Sequence, residues 1–300
     1  MNMKMLGKRA HDFVGIKDKL VDAKSGALVS ESMNSLRIRG KIRCVGYDGS
    51  VLNTQNCTIY GGRRSVIELL FRNIPKESQM LTLNTILDIN AATQPATPAD
   101  LLNRCVCLMG AGDGGASMTF GQVIDAKAND NNLFSIKPLR TVPVGADLSA
   151  AEREVYFMRK RVTINNEVYY QYFLKKVSNT EVYTKHQNVN YTPAIEDNDP
   201  EKDPNDPLSL NPIQTFTTVP ISVADVDLKE HFRIQDGTLK NARFNELALY
   251  VGIPTIVRDP VTNETYTDYI AVEAFSKLTF NNRPMDNEGS KYDFVYYIIT

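Results

Sequence analysis

The feature that most constrains the fold is a pair of strand-like runs in the middle of the chain. Arg153–Ile164 and Val168–Val177 are rich in Val, Ile, Tyr and Phe, and they flank the dipeptide Asn165-Asn166. Two such runs joined by short polar residues that tolerate left-handed backbone are typical of a β-hairpin. The sequence therefore predicts an antiparallel hairpin at this point.

The composition extends this prediction to the whole chain. Tyr and Phe number 14 and 12 while Trp is absent, and Asn, Asp, Thr, Pro and Gly recur throughout the 300 residues. This mixture favours short strands joined by turns over long helices. We therefore expect a mainly β fold, with one or more β-sandwich-like domains, short helices and an extended N-terminal arm.

The N-terminal part is predicted to begin with that arm. Residues 1–30 are polar and mixed, with at most a short amphipathic helix around Ile16–Ala23. After the arm, a period of two and a capping serine indicate regular elements. These are a strand at Leu36–Val45, a second strand at Val51–Tyr60, and a helix at Val66–Arg72 capped by Ser65.

The C-terminal part resumes strand-like runs separated by turn residues. The predicted strands are Phe244–Val251, Tyr269–Phe280 and Tyr292–Ile299, with turns at Gly252–Pro254 and Asn281–Pro284. The last strand runs almost to the final residue with apolar and aromatic side chains. An end of that kind is rarely exposed, so we expect an inner strand or a strand covered by a partner.

A proline-rich acidic segment at 191–212 suggests the domain organisation. Prolines interrupt strand pairing and the charges oppose burial, so this segment is predicted to be an exposed loop. The predicted divisions are an arm at 1–30, a β-rich domain at 31–190, the loop at 191–212 and a C-terminal β domain at 213–300. The alternative is one interleaved fold made from both halves.

The charges are unevenly distributed along the chain. Residues 1–80 contain 14 Lys/Arg against 7 Asp/Glu, whereas residues 181–230 contain 3 against 10. Regions of opposite charge allow copies of the chain to pack head to tail. Two solvated faces would give the same charge distribution.

Basic residues are the clearest candidates for a contact site. Four of them alternate with apolar residues on the predicted strand at Leu36–Val45, and two more are adjacent after it. Clustered cations suit phosphate groups or an acidic protein surface. Because the same chain has an acidic region and no recognised nucleic-acid motif, a protein partner is favoured over nucleic acid. The candidate partner-contact residues are Arg37, Arg39, Lys41, Arg43, Arg63 and Arg64.

A glycine-rich stretch is the one pattern that points to a cofactor. Gly110–Gly115 matches G-x-G-x-x-G after an apolar run, as in dinucleotide-binding turns. No helical period follows it, and the fingerprint needs a helix there. We therefore expect close backbone packing at these glycines, and no cofactor.

Other chemistry lacks a complete motif. Cys105-x-Cys107 has no further ligands at zinc-site spacing, and the three histidines His11, His186 and His231 are scattered. Nucleophile motifs are absent. The sequence predicts no metal site, no catalytic residue and no enzymatic activity. Carboxylate pairs that meet in space are the one arrangement it leaves open.

Neither a secretory signal nor a membrane span is predicted. The basic N-terminus lacks the apolar run of a signal peptide, and no stretch approaches about 20 apolar residues. The four cysteines are expected to be reduced. We expect synthesis and folding in the cytoplasm of the producing cell.

The C-terminal strands carry a family resemblance. Phe244–Val251, Phe275–Phe280 and the closing aromatic strand are similar to the ends of virion structural proteins from tailed bacteriophages. The middle resembles the same group loosely, through Gly112–Gly115, Ile136–Arg140, Ser149–Tyr156 and the hairpin.

This resemblance implies a repeated, non-enzymatic subunit of the neck, collar, tail or head surface, made in the host bacterial cytoplasm. Our leading expectation is a homo-oligomeric neck or collar ring at the head–tail junction that contacts other virion proteins. The alternatives are a tail or baseplate component, a capsid decoration, or a host-surface or glycan recognition module. An exposed aromatic platform drawn from Tyr169, Tyr170 and Tyr172 would favour the recognition alternative.

Overall fold

The computed structural model describes most of the chain from residue 57 onward and several strands before it. The described residues are 16–21, 28–34, 39–46, 51–55, 57–71, 83–87, 100, 102–117, 122–177, 182–186, 213–258 and 263–299. The predicted loop at 191–212 lies outside these residues, as does most of the predicted arm.

Strands dominate the described residues. They are β1 (Ile16–Val21), β2 (Leu28–Asn34), β3 (Arg39–Gly46), β4 (Val51–Gln55), β5 (Cys57–Thr58), β6 (Cys105–Gly112), β7 (Ile136–Lys137), β8 (Arg140–Pro143), β9 (Tyr156–Ile164), β10 (Glu167–Lys176), β11 (Val182–His186), β12 (Ile213–Val223), β13 (Arg243–Arg258), β14 (Thr265–Pro284) and β15 (Tyr292–Ile299). The helices are α1 (Tyr60–Phe71), α2 (Leu83–Ile86), α3 (Ala150–Arg153) and α4 (Lys229–Asp236), with a 3-10 turn at Val144–Ala146. The prediction of a mainly β fold is confirmed.

The chain divides into two compact units. The first unit comprises Met1–Arg39, Val182–Thr217 and Ile298–Thr300. Within it β1 pairs antiparallel with β2, and β11 pairs with Ile213–Thr217. The helix predicted around Ile16–Ala23 is therefore wrong, because Ile16–Val21 form a strand. One or two turns of isolated helix are unstable in water, whereas pairing with β2 satisfies the same backbone groups.

The second unit comprises Gly40–Glu181 and Thr218–Tyr297, and an eight-stranded sheet organises it. The strand order is β5-β14-β13-β6-β10-β8, with β7 paired to β6 and β9 paired to β10. Since β6 and β13 are neighbours, the sheet combines strands from both sides of the predicted loop. The proposed division into domains at 31–190 and 213–300 is therefore corrected, and the interleaved alternative describes this unit.

A second sheet, with the order β11-β12-β15-β3-β4, places the C-terminal strand β15 between two neighbours. The prediction that the apolar chain end is an inner strand is confirmed. Phe244 and Phe280 of the eight-stranded sheet stack with Tyr292 and Phe294 of β15, with ring centroids 5.3 to 6.1 Å apart. Edge-on aromatic contacts of this kind join the two sheets as in a β-sandwich.

The central hairpin forms as predicted. Strands β9 and β10 pair from Glu167 opposite Ile164, and the turn between them has φ of 52° at Asn165 and 67° at Asn166. The first strand starts at Tyr156 because the preceding residues form α3, which Ser149 caps. Asn tolerates the left-handed region that this two-residue turn requires.

Helix α1 starts earlier than predicted and has no cap at Ser65. It begins at Tyr60 and includes Gly61 and Gly62, which lie against backbone carbonyl oxygens of Ala274 and Phe275 on β14. Side chains at these two positions would collide with that strand. The glycines therefore let the helix lie on the sheet, although they disfavour helix formation in isolation.

Strand β13 runs through the turn predicted at Gly252–Pro254, and β14 includes the turn predicted at Asn281–Pro284. Both turn predictions are wrong. A register shift between Val251 and Ile253 accommodates the glycine within the β13–β14 ladder. Proline is tolerated in a strand where its nitrogen faces an open edge.

Candidate functional site

The basic strand lies inside a sheet. Arg39, Lys41 and Arg43 occupy alternate positions of β3, which lies between β15 and β4. Arg37 lies outside the described residues. Because both edges of β3 are paired, a partner would have to approach these positions from a face of the sheet, not by adding a strand beside them.

Arg63 and Arg64 are adjacent on α1 but have different environments. Arg63 is half-buried, and its Nε donates to the carbonyl oxygen of Thr58 at 3.1 Å. Arg64 is buried and forms ion pairs with Glu68 and Glu273. The expectation that Arg64 contacts a partner is therefore corrected, since its guanidinium forms ion pairs inside the fold.

Arg64 belongs to a buried quartet of charges, defined by Arg64, Glu68, Arg104 and Glu273. Arg104 pairs with both carboxylates, and its Nη1 lies 2.9 Å from Oε2 of Glu273. Burial raises the pKa of Glu273, and the charges of Arg64 and Arg104 oppose that rise. Two cations and two anions that alternate in this way satisfy one another, which is what allows charges to remain in an apolar interior.

The glycine-rich stretch surrounds a carboxylate of the chain itself. The side chain of Glu246 accepts backbone hydrogen bonds from Gly114 at 3.1 Å, Phe134 at 2.8 Å and Ser135 at 2.7 Å. Converging N–H groups make an anion-binding nest, and here an internal side chain occupies it. The predicted close packing is confirmed, because a Cβ at Gly115 would lie 2.5 Å from the carbonyl oxygen of Asn245.

Among the described side chains, Cys105 and Cys107 share a hydrogen bond. Cys107 donates through Sγ to the carbonyl oxygen of Gly252 at 3.8 Å, and Cys105 is exposed. His231 lies on α4, where burial lowers its pKa to about 4. Within the described ranges, no three His, Cys, Asp or Glu side chains are arranged to hold a metal ion.

The three tyrosines that would favour surface recognition do not form an exposed platform. Tyr169 and Tyr172 are buried. The ring of Tyr170 lies beneath the guanidinium of Arg159, with 4.4 Å from the guanidinium carbon to the ring centroid. The structure therefore lacks, at these three tyrosines, the exposed platform that would favour the recognition alternative.

The candidate contact surface is the end of the β13–β14 hairpin. We call Ile253–Arg258 and Thr265–Ile270 the hairpin arm. The ladder between β13 and β6 ends where Gly252 lies opposite Cys105, whereas β13 and β14 stay paired as far as Arg258 and Thr265. In the part of the chain that the structure describes, no third strand covers the outer edge of Ile253–Arg258.

The exposed side of the hairpin arm carries two apolar residues next to the charged Arg258. Ile256 is 78% exposed, and Pro254 beside it is also exposed. On the opposite side Val257 is buried, and Tyr266 lies beneath the guanidinium of Arg159 at 5.2 Å. The arm is therefore held by the fold on one face. On its other side it has a backbone edge that no other described strand pairs with and an apolar side chain available to a neighbour.

The sequence analysis missed this surface because it assigned a turn to Gly252–Pro254. A signal was present in Thr255-Ile256-Val257, whose residue types favour a strand beyond the proline. The surface offers backbone hydrogen bonding and apolar contact, which suit association between proteins. No helix among the described residues is long and apolar enough to cross a membrane.

Comparison with protein families gives one match. The model of a family of unknown function, DUF7208, matches residues 53–296, which include the eight-stranded sheet and the hairpin arm. No curated protein and no solved structure matches the chain significantly.

Proposed function

We propose that the chain, which belongs to the DUF7208 family of unknown function, is a structural subunit of a tailed-bacteriophage virion. It acts by contact with other copies and other virion proteins, without catalysis. Its place is the neck or collar at the head–tail junction, in a closed ring of identical subunits. The resemblance of the C-terminal strands to virion structural proteins supports this assignment.

The observation that carries the proposal is the hairpin arm. An exposed isoleucine at position 256, beside a strand edge that no other described strand pairs with, is a liability in a lone protein because it invites pairing with another chain. In a ring, the same edge adds to a neighbour's sheet through main-chain hydrogen bonds. Repetition of that head-to-tail contact closes the ring when the rotation between subunits allows it.

Charge polarity supports contact with a second type of surface. The basic positions Arg39, Lys41 and Arg43 lie on one strand of the smaller sheet, and residues 181–230 have an acidic excess. Complementary charges orient subunits during assembly and increase their association rate. In this proposal the basic strand binds an acidic partner, while the hairpin arm binds the next copy.

Substitution of Ile256 tests the arm contact. We expect Ile256→Glu to preserve the far-ultraviolet circular dichroism spectrum and melting temperature but to reduce both the oligomer mass in light scattering and incorporation into particles. Ile124→Glu is the matched control, because Ile124 is also exposed but lies outside the arm. Equal incorporation of the two variants would exclude the arm contact.

Charge reversal tests the second contact. Changing Arg37, Arg39, Lys41 and Arg43 to Glu is expected to leave the fold intact and to stop incorporation into particles. Normal protein content in purified particles that carry this variant would contradict docking through the basic strand.

Immunogold labelling of particles tests the assigned place. An antibody against residues 193–212 is expected to label the head–tail junction. Label over the heads would replace the collar assignment with capsid decoration, and label at the distal tail would replace it with a baseplate or fibre role. Particles that carry no label, while the antibody binds the purified protein, would contradict the virion assignment.

A further inference from the structure

Two cysteines lie on one face of β6, at the end where the strand begins. Cys105 and Cys107 are alternate residues of the strand, so their side chains point to the same side of the sheet. Cys105 is exposed, and Cys107 is half-buried behind it. Directly opposite Cys105 on β13 is Gly252, where the ladder between the two strands ends. Because a glycine has no side chain to cover its neighbour, the thiol of Cys105 is open to a small molecule from solvent.

The single S–H group of Cys107 has two acceptors within reach. One is the carbonyl oxygen of Gly252, which lies 3.8 Å from Sγ of Cys107, and the other is the sulfur of Cys105. When Cys105 ionises, its sulfur carries a negative charge, and a hydrogen bond to a charged acceptor is about twice as strong as one to a neutral acceptor. Cys107 therefore donates to the thiolate of Cys105 and stabilises it.

This hydrogen bond separates the acidities of the two thiols. It lowers the pKa of Cys105 from 9.0 to about 6, although burial opposes the change. The same bond raises the pKa of Cys107, and burial raises it further. Near neutral pH the pair therefore consists of one thiolate and one thiol. The thiolate is the exposed member of the pair, and the thiolate is the nucleophilic form of cysteine.

The groups on neighbouring strands are compatible with a thiolate at Cys105. Lys176 on β10 is close enough for its positive charge to lower the pKa of Cys107. Tyr269 on β14 stays neutral near pH 7, because burial and then the two cysteines raise the pKa of its hydroxyl group. The guanidinium of Arg104, the residue before Cys105, belongs to the charge quartet. Cys105 is therefore the member of this group whose charge changes between about pH 5 and pH 8.

A disulfide between the two cysteines is disfavoured by the extended backbone of β6. Two residues of a strand span about 6.6–6.8 Å. The Cα atoms that a disulfide joins are usually about 4.4–6.8 Å apart, and most often about 5.5–6 Å. A bond between Cys105 and Cys107 would therefore require the start of β6 to bend. The thiolate of Cys105 is better placed to react with a molecule that arrives from solvent.

We propose that Cys105 is a modification site, at which its thiolate forms a mixed disulfide with a low-molecular-weight disulfide such as glutathione disulfide. The sulfur of Cys105 attacks one sulfur of that molecule, so that a new S–S bond forms and the original S–S bond breaks. Cys105 is oxidised, and the departing half is reduced to a thiolate that takes a proton from water. Cys107 donates a hydrogen bond and forms no covalent bond. This inference does not depend on the virion assignment.

The pH dependence of alkylation tests the role of Cys107. Full-length protein reacts with iodoacetamide between about pH 5 and pH 9, and peptide mapping follows the rate at Cys105. We expect a half-maximal rate at about pH 6, and a shift to about pH 8.5 in Cys107→Val, which has no S–H group. Cys107→Ser keeps a donor, so its midpoint should lie below that of Cys107→Val. A midpoint near pH 8.5 in the unsubstituted protein would overturn the proposal, whether or not the variants fold.

Glutathione disulfide tests the modification itself. After incubation of the folded protein at about pH 7, intact mass and peptide mapping measure the number and position of glutathionyl groups. We expect a glutathionyl group on Cys105 that dithiothreitol removes and that Cys105→Ser lacks. Cys57 is the matched control within the same chain, because it is buried and should stay unmodified while the protein is folded. An unmodified Cys105, or a disulfide between Cys105 and Cys107 in place of the adduct, would contradict the proposal.

Discussion

Gly112 on β6 lies directly opposite Glu246 on β13, and the carboxylate of Glu246 occupies the space that a side chain at residue 112 would need. The three backbone N–H groups that hold this carboxylate come from Gly114, Phe134 and Ser135. Gly114 of the glycine-rich stretch, together with Phe134 and Ser135, therefore keeps a buried acid in place within the sheet. In a dinucleotide-binding turn, similar glycines would admit a phosphate of the ligand.

Substitution at this position tests the packing role directly. Gly112→Ala places a methyl group against the Glu246 carboxylate and is expected to lower the free energy of unfolding by at least about 2 kcal/mol. The control is Gly145→Ala, since nothing lies within 4 Å of a Cβ at Gly145. The free energies of unfolding of both variants are measured by urea titration with circular dichroism as the signal. Equal stability of the two variants would show that Glu246 moves aside without loss.

The charge quartet predicts that substituting Arg64 lowers the free energy of unfolding much more than substituting the adjacent Arg63. Arg64→Met leaves the buried carboxylates of Glu68 and Glu273 undercompensated and is expected to cost about 3–5 kcal/mol. Arg63→Met removes the hydrogen bond to Thr58 from a half-buried side chain, and we expect it to lower the free energy of unfolding by about 1 kcal/mol. Chemical denaturation of the two variants gives the comparison. An Arg64 variant as stable as the Arg63 variant would restore a partner-binding role for Arg64.

The turn of the central hairpin predicts that two substitutions of Asn166 change the stability of the protein in opposite directions. Asn166 has φ of 67°. Asn166→Val should destabilise the protein by about 1–2 kcal/mol because a β-branched residue is strained there. Asn166→Gly should be neutral or stabilising by up to about 1 kcal/mol. Melting temperatures of the two variants check the sign, and a stabilising valine would contradict the observed turn.

Burial of His231 predicts a loss of stability in mild acid. The pKa is lowered from 6.5 to about 4 in the fold. The unfolded chain therefore binds the proton first, and stability falls as the pH drops from about 6.5 towards 4. Between about pH 7 and pH 5, the titration of His231 should lower the free energy of unfolding by about 2 kcal/mol.

His231→Gln isolates that contribution from the carboxyl groups that titrate nearby. Unfolding free energies of the wild type and the variant are compared at both pH values. We expect the wild type to lose about 2 kcal/mol more than the variant over this interval. Identical pH dependence would mean that the imidazole has the same pKa in the folded and the unfolded chain, which would contradict this prediction.

The sequence by itself determined those elements that depend on residue types within a short segment. Asn165-Asn166 between two β-rich runs specified the hairpin, because the backbone geometry of a two-residue turn depends on the residues in it. The aromatic run at Tyr292–Ile299 specified an inner strand, because its apolar side chains have to be covered. Both predictions are confirmed, as is the mainly β fold.

Tertiary structure alone decided which distant residues meet. Leu249 pairs with Met109, although the predicted loop at 191–212 separates them in the sequence. Arg64 forms an ion pair with Glu273 on β14. The residues next to Arg64 and Gly252 in the sequence do not indicate these partners. The local sequence therefore predicted a partner contact for Arg64 and a turn at Gly252–Pro254. Strand pairing joins backbone groups that every residue except proline possesses. The choice of partner therefore depends on packing summed over the whole sheet, which no short segment encodes.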